Sequence, residues 1–347
     1  MKIAIDYTGA QENFCTRFEA YCKRHNIDYK LVDCTSSKII EELADCDALV
    51  WHWPHANHKF ELFARQLTYS LQAAGKVVFP NAATCWHFDD KIGQKYLFES
   101  LELPLVPTYV FYEKAAALDF LEQTDYPVVF KLKSGAGSSN VKLIRNKRCG
   151  RKLVKKMFGK GFPAVNRSEF IRDTYKKFRQ KKLPFRAVLS AIKAAILNSR
   201  KLEMREYGYV YMQKFIADNE YDIRAIVIGD KVFEIKRLCR PDDFRASGSG
   251  TILYDKSELS GECAKIALAA AAKLKTQCAA LDFVFDHGKP MLVEISYGFS
   301  MHGYDRCTGY WDADLNWHAG VFNPQDWIMD LVVKEVKNLK NNAEKTH

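Results

Sequence analysis

The sequence predicts an α/β (α+β) protein with a small parallel sheet first, antiparallel hairpins later, and a basic helical segment between them. Three observations carry this. Residues 1–80 alternate short β-prone apolar runs with amphipathic helical runs, the pattern of parallel α/β units. From Gly208 onward β-prone runs are joined by tight turns, the pattern of antiparallel hairpins. Between Arg145 and Arg205, 20 Lys/Arg stand against Glu169, Asp173 and Glu203, a local charge of +17 in a chain of net +10, which leaves −7 for the remainder. The basicity therefore belongs to one segment and says little about the whole protein.

Element by element, Lys2–Tyr7 reads as a strand, and Asn13–His25 as a helix with Phe14, Phe18, Tyr21 and Cys22 on one face. Ala48–Trp53 is a buried-strand run, Phe60–Ala74 is helical, and Lys76–Phe79 is a further strand. Asp89–Leu101 reads as a helix, Pro104 and Pro107 as breakers, and Thr108–Tyr112 as a strand. Tyr126–Ile144 reads as two strands around a Gly/Ser turn. A hairpin follows, Ile223–Ile228 and Lys231–Leu238 about Gly229-Asp230. Gly261–Thr276 is an Ala-rich helix, Ala280–Phe285 and Pro290–Ser296 a second hairpin, and Trp327–Leu339 a final amphipathic helix. The expected domains are 1–85, an N-terminal α/β domain; 86–144 with 206–340, the main domain; and 145–205, a basic helical insertion.

Several classes are excluded. The 347 residues are 48% hydrophobic and 27% charged, a globular balance. No run approaches the ~20 apolar residues of a membrane span. The chain starts directly on a strand and lacks the apolar core of a signal peptide. The ten cysteines form no CxxC pair and read as reduced thiols, which implies a cytoplasmic protein. No GxGxxG follows the first strand, so a dinucleotide site is not expected.

Two groups of residues carry chemistry. Pro127–Lys133 is a strand ending in Lys131 and Lys133, and it runs into Ser134-Gly135-Ala-Gly137-Ser138-Ser139. Glycines let a backbone turn bring its N–H groups up to anionic oxygens, and the lysines add positive charge, so the turn suits a polyphosphate. An ordinary hairpin turn fits the same residues equally well. Asp282 and Glu294 stand inside apolar runs flanking the turn Asp286–Pro290, where a hairpin would set them opposite each other. Unpaired buried carboxylates are costly. Either a hard cation such as Mg2+ satisfies both, or each pairs with a basic side chain; the matching flanks favour the cation.

In this order the motifs resemble the ATP-grasp superfamily, in particular its glutathione-synthetase-like and RimK-like branch, over nearly the whole chain. The resemblance implies an ATP-grasp fold, with residues 1–85 as the pre-ATP-grasp domain. Lys91, in Asn81…Asp90-Lys91…Pro107-Thr108, looks like the first phosphate lysine and Lys131 like the second. Gln213-Lys214-Phe215-Ile216 is similar to the hinge that reads adenine through its backbone. Glu220-Tyr-Asp222-Ile-Arg224 looks like the segment with an acidic ribose contact, at Glu220 or Asp222, and a substrate arginine. Asp243–Gly250 is similar to the loop that places Arg245 beside the γ-phosphate. Asp282 and Glu294 occupy the metal positions, and Ser296 stands where the family usually has Asn.

What this implies is an ATP-dependent carboxylate–amine ligase. It would use ATP and Mg2+, with Mn2+ able to substitute, and form an amide through an acyl-phosphate held by Arg224, Arg245 and Arg237. For Arg237 alone a surface ion pair is an equal reading. Alternatives are an ATP-grasp kinase, or an ATP-binding module docked on a polyanion or anionic membrane. His52, His55 and His58 are read as a loop rather than zinc ligands. The aromatics Tyr304, Tyr310, Trp311 and Trp317 suit either core packing or stacking on a sugar, which suggests a sugar acid of a cell-surface polysaccharide precursor as the carboxylate. The apolar stripe Phe185, Val188, Leu189, Ile192 and Ile196 within 145–205 suits packing on the body or contact with an anionic membrane or polyanion, which would place the protein at the inner face of the membrane. Nucleic acid is not expected as a partner, and a homo-oligomer is.

Overall fold

The computed structural model describes residues 1–7, 14–53, 58–134, 140–163, 174–175, 178–179, 184–197, 205–239 and 251–345. In chain order the elements are β1 (Lys2–Asp6), α1 (Cys15–Arg24), β2 (Asp28–Val32), α2 (Ile39–Glu42), β3 (Ala48–Val50), α3 (His58–Ala73), β4 (Val77–Phe79), α4 (Ala82–Cys85) and α5 (Lys91–Ser100). Next come β5 (Thr108–Phe111), α6 (Lys114–Gln123), β6 (Val128–Lys131), β7 (Lys142–Ile144), α7 (Lys147–Met157), β8 (Phe162–Pro163), α8 (Phe185–Leu197), β9 (Arg205–Glu206) and β10 (Val210–Lys214). The last third holds β11 (Tyr221–Ile228), β12 (Lys231–Leu238), β13 (Ile252–Leu253), α9 (Gly261–Leu274), β14 (Cys278–Asp286), β15 (Lys289–Ser296), α10 (Met301–Tyr304), β16 (Gly309–Trp311), β17 (Trp317–Ala319) and α11 (Pro324–Lys345).

Contacts group the chain into two compact units, 1–88 with 96–105 and 218–347, and 89–95 with 106–217. This partition differs from the three expected segments. The N-terminal sheet shares its core with the C-terminal half of the chain, and residues 145–205 fall in the second unit. The cause is α11, whose Ile328, Met329, Val332 and Val336 enter the same apolar cluster as Ile3, Ile5 and Phe18.

The larger unit contains the expected parallel sheet, β2-β1-β3-β4. It also holds an antiparallel sheet, β15-β14-β11-β12-β16-β17, with β13 on β12. Turn residues set the registers. Gly229 adopts φ +59° between the paired ends Ile228 and Lys231. His287 and Gly288 take φ +50° and +80° between Asp286 and Lys289, the two positive angles of a type I′ hairpin. On β11 the even positions Ile226 and Ile228 pack toward the N-terminal sheet, and the odd positions Ile223, Ala225 and Val227 pack under the Ala-rich α9. The smaller unit has an antiparallel sheet, β5-β10-β6-β7, backed by α6 and α7 around Phe130, Tyr211, Leu121 and Val154. Helix α6 was not anticipated, because Ala115–Ala117 gives propensity but little periodicity. All ten cysteines are free thiols. Among the described residues no helix is long and apolar enough to cross a membrane.

One buried carboxyl serves the fold alone. Glu234 of β12 is 0% exposed and accepts the Ser260 N–H (2.8 Å) at the start of α9. Its other oxygen has no partner, and burial pushes its pKa up to about 8. A raised carboxyl favours the fold below its unfolded pKa, and that contribution is lost as pH rises through about 8. Glu234→Gln should remove this dependence. Its stability relative to wild type should grow between pH 5 and 8, by at most about 1.4 kcal/mol per pH unit, when melting is followed at several pH values. A constant difference across that range would show that Glu234 is not protonated in the fold.

Candidate functional site

The charged side chains expected at the site fall into two groups, one in each unit. In the larger unit a row crosses three strands. Arg224 of β11 is the register partner of Asp282 on β14, which in turn faces Glu294 on β15. One step along, Asp222 faces Arg237 of β12. Residues directly opposite, or two apart, share a face of the sheet, so all five stand on one side, where β11 runs on from the apolar Ile226 and Ile228.

A register shift beside Asp282 lets the pattern change here. Glu294 pairs with Asp282, while Leu292, only two residues earlier, pairs with Phe283 and joins the core. The extra residue, Val293, breaks strict alternation, which is what a β-bulge does.

The contacts are close. Arg224 donates from Nε and Nη2 to the two Asp282 oxygens at 2.5 and 2.7 Å. Arg237 donates in the same forked way to Asp222 at 2.6 Å each, and its Nη2 lies 3.1 Å from Asp282 Oδ2. Burial would raise the Asp282 carboxyl, but Arg224 and Arg237 outweigh it and hold it well below the usual carboxylate range. For Asp222 burial prevails and the carboxyl is raised, since Arg237 is opposed there by the neighbouring Asp282 charge. Burial works against the charge of Arg224, yet Asp282 keeps it fully protonated. Tyr304 is buried beside the arginines, its hydroxyl raised by burial and partly restrained by them.

Arg237 is thus not a surface ion pair; it is 6% exposed. Asp222, one of the two candidates for a ribose contact, has its carboxylate engaged by Arg237, whereas Glu220 is exposed and its carbonyl accepts the Cys239 N–H. Asp282 and Glu294 offer hard oxygen donors from adjacent strands, a set that fits Mg2+ or Mn2+. Ser296, expected beside them, has its hydroxyl within 3.0 Å of the Gly298 N–H and 3.1 Å of that residue's carbonyl oxygen, so it shapes the strand end. Among the described residues no cluster of three or more His, Cys, Asp or Glu surrounds a common point.

In the smaller unit, Lys131 closes β6 and is buried. Its Nζ donates to Gln213 Oε1 at 2.6 Å, Gln213 Nε2 donates to Thr108 Oγ1 at 2.9 Å, and Thr108 Oγ1 donates to the Val106 carbonyl at 2.6 Å. This relay fixes the Gln213 amide with its oxygen toward the lysine. Lys91 is also buried, and its N–H donates to the Lys133 carbonyl at 2.9 Å, which brings the start of α5 to the end of the lysine strand. Lys133 Nζ lies 3.6 Å from Asp90. Lys214 is exposed, its N–H donating to Pro107 O, and Phe215 and Ile216 are half-buried.

Glu206 was not foreseen. Its carboxylate accepts the Lys133 and Ser134 N–H groups at 2.9 and 3.2 Å, and also the Ser134 and Tyr209 hydroxyls. It therefore anchors the entry to the glycine turn. Its only sequence signal is an acid at the edge of a basic block. Gly135, Gly137, Ser138, Ser139 and Arg245 lie outside the described residues. His52 stacks on Phe14 (4.1 Å between centroids), and His55 lies outside the described residues. Trp311 packs on Trp317 (4.7 Å), and Tyr310 on His318 and Trp327.

Residues 176–314 match the family model of the RimK-like ATP-grasp domain. Over these residues the chain is similar to the ATP-grasp superfamily. Along 96% of its length it superposes on a RimK-domain ATP-grasp protein from Sphaerobacter thermophilus, covering 100% of that chain with a TM-score of 0.57 at 14% identity. It superposes equally well, also at a TM-score of 0.57 and 14% identity, on a D-alanine–D-alanine ligase from Bacillus anthracis, covering 99% of each chain. At these identities the likeness is one of fold. In sequence, 43% of this chain is 30% identical to a probable alpha-L-glutamate ligase of Legionella pneumophila, over 45% of that protein. The chain spans less than half the length of the curated relatives it matches.

The Asp222–Arg237 pair gives a direct test of the charged face. Arg237→Leu leaves the half-buried Asp222 without its partner and should cost up to about 3 kcal/mol in urea unfolding. Replacing both residues by Leu should recover most of that loss. A single variant as stable as wild type would mean that the pair is solvated.

Proposed function

We propose that this protein is an ATP-dependent carboxylate–amine ligase. The observation that carries the reading is the single sheet face on which Arg224 and Arg237 stand beside Asp282 and Glu294: anion-binding guanidiniums next to the donors for a cation. The relatives in sequence, named as probable alpha-L-glutamate ligases, point the same way.

In this reading a substrate carboxylate oxygen attacks the γ-phosphorus of ATP, the bond to the β-phosphate oxygen breaks, and ADP leaves. An amine then attacks the acyl carbon of the acyl-phosphate, loses a proton and expels phosphate. Phosphoryl transfer of this kind needs positioning and charge neutralisation more than a protein nucleophile. Lys91 and Lys131 neutralise phosphate oxygens, and the Gln213 relay keeps Lys131 extended. Gln213 through Ile216 present the backbone to adenine, with Glu220 as the ribose contact. Arg224 and Arg237, fixed by their forked bonds to Asp282 and Asp222, turn their remaining N–H groups to the carboxylate and then to the acyl-phosphate. Asp282 and Glu294 would hold Mg2+, which when bound supplies positive charge to the phosphates.

The amine in this reading belongs to an amino acid; glutamate is the one named for the curated relatives. A sugar acid as the carboxylate rests only on the basic segment, since Tyr310, Trp311 and Trp317 are engaged with one another and with neighbouring rings.

Lys131→Ala should weaken ATP binding roughly 10- to 100-fold by calorimetry, the loss of one charge-assisted contact. Asp282→Asn and Glu294→Gln should abolish Mg2+-dependent phosphate release while leaving the far-UV circular dichroism unchanged. Release by the wild type should require a carboxylate and an amine together. Near-normal turnover in both carboxylate variants, or full release without any amine, would overturn the assignment.

A further inference from the structure

The smaller unit exposes an apolar stripe on its most basic stretch. From Thr174 to Leu202 the sequence holds nine Lys/Arg and no Asp or Glu. Within it α8 buries Val188, at 4% exposed, and turns Phe185 (52%), Leu189 (51%) and Ile192 (37%) to solvent. These three are spaced i, i+4, i+7, one stripe of a helix. Arg186 and Lys193 are exposed on the same helix. Two further rings extend the stripe: Phe178 lies 5.3 Å from Phe185, and the exposed Tyr175 lies 6.2 Å from Phe178. A helix packed on the body would turn its apolar stripe inward; among its described residues α8 turns Phe185, Leu189 and Ile192 out and only Val188 in.

We infer that α8 docks on the surface of a bilayer containing anionic lipid, with Phe185, Leu189 and Ile192 entering the interface and Arg186 and Lys193 meeting headgroups. Two properties select this occupant. A stretch with nine positive charges and no negative one matches an anionic surface and opposes a second copy of itself. A soluble polyanion would satisfy the charge but leave three large apolar side chains in water, whereas an interface takes both. This surface is separate from the residues assigned to ATP, so it stands or falls independently of the ligase reading.

The test is co-sedimentation of the full chain at low salt with phosphatidylcholine vesicles, with or without about 30% phosphatidylserine. Binding should require the anionic lipid. It should fall at least roughly tenfold in Leu189→Asp/Ile192→Asp and in Arg186→Glu/Lys193→Glu, with ATP affinity by calorimetry unchanged in both. Should the aspartate variant misfold, Ile192→Cys in a Cys149→Ser background, labelled with a polarity-sensitive fluorophore, should shift to the blue on anionic vesicles and not on a soluble acidic polysaccharide. Three results overturn the inference: no sedimentation at low salt, vesicle binding by the aspartate variant equal to wild type together with tight polysaccharide binding, or an Ile192-dependent dimer by light scattering.

Discussion

The forked contact of Arg224 with Asp282 joins β11 to β14 just where their shared face changes from apolar to charged. The apolar half of that face, Ile226 and Ile228, is tied into the core with the N-terminal sheet. Strand register then leaves no freedom in where residues 222 and 224 point. A charge placed there is half out of water whether or not a ligand is present, and it persists only with an opposite charge beside it. The alternation of acid and base along Arg237, Asp222, Arg224 and Asp282 answers that constraint. The same arrangement holds the Asp282 carboxyl in its ionised form, with both oxygens taken up by guanidinium N–H groups.

In the smaller unit a buried lysine is oriented in part by neutral groups. Lys131 is buried at the end of β6, where its neighbour in register on β10 is Tyr211. The Gln213 amide and the Thr108 hydroxyl carry its hydrogen bond on to a main-chain carbonyl. An amide acceptor orients the ammonium while adding no charge of its own. A carboxylate does appear nearby, at Glu206, but it is spent on backbone N–H groups and hydroxyls.

Local signals were readable in the sequence because they act over a few residues. Gly229-Asp230 and His287-Gly288 specified their hairpins, and the matching flanks of Asp282 and Glu294 were enough to set those two opposite each other. What escaped were contacts between residues far apart in the chain. Nothing near Asp222 announces that its partner is Arg237 across a turn, nor does anything near the glycine turn announce Glu206, some seventy residues on. The two-unit division was hidden for the same reason, since α11 reaches the first strands only in three dimensions. Parity alone does not describe this strand: Leu292 and Glu294 share it, yet the bulge at Val293 sends one to the core and leaves the other beside Asp282.

The bond from the Lys91 N–H to the Lys133 carbonyl is made entirely by main chain. No side-chain replacement there can loosen it unless position 91 becomes proline, the one residue without an N–H. The separation between the helix bearing the first lysine and the strand bearing the second is therefore a property of the backbone trace. Neighbouring positions are left free to drift, and two copies of this site that share almost no letters could still hold their lysines the same distance apart.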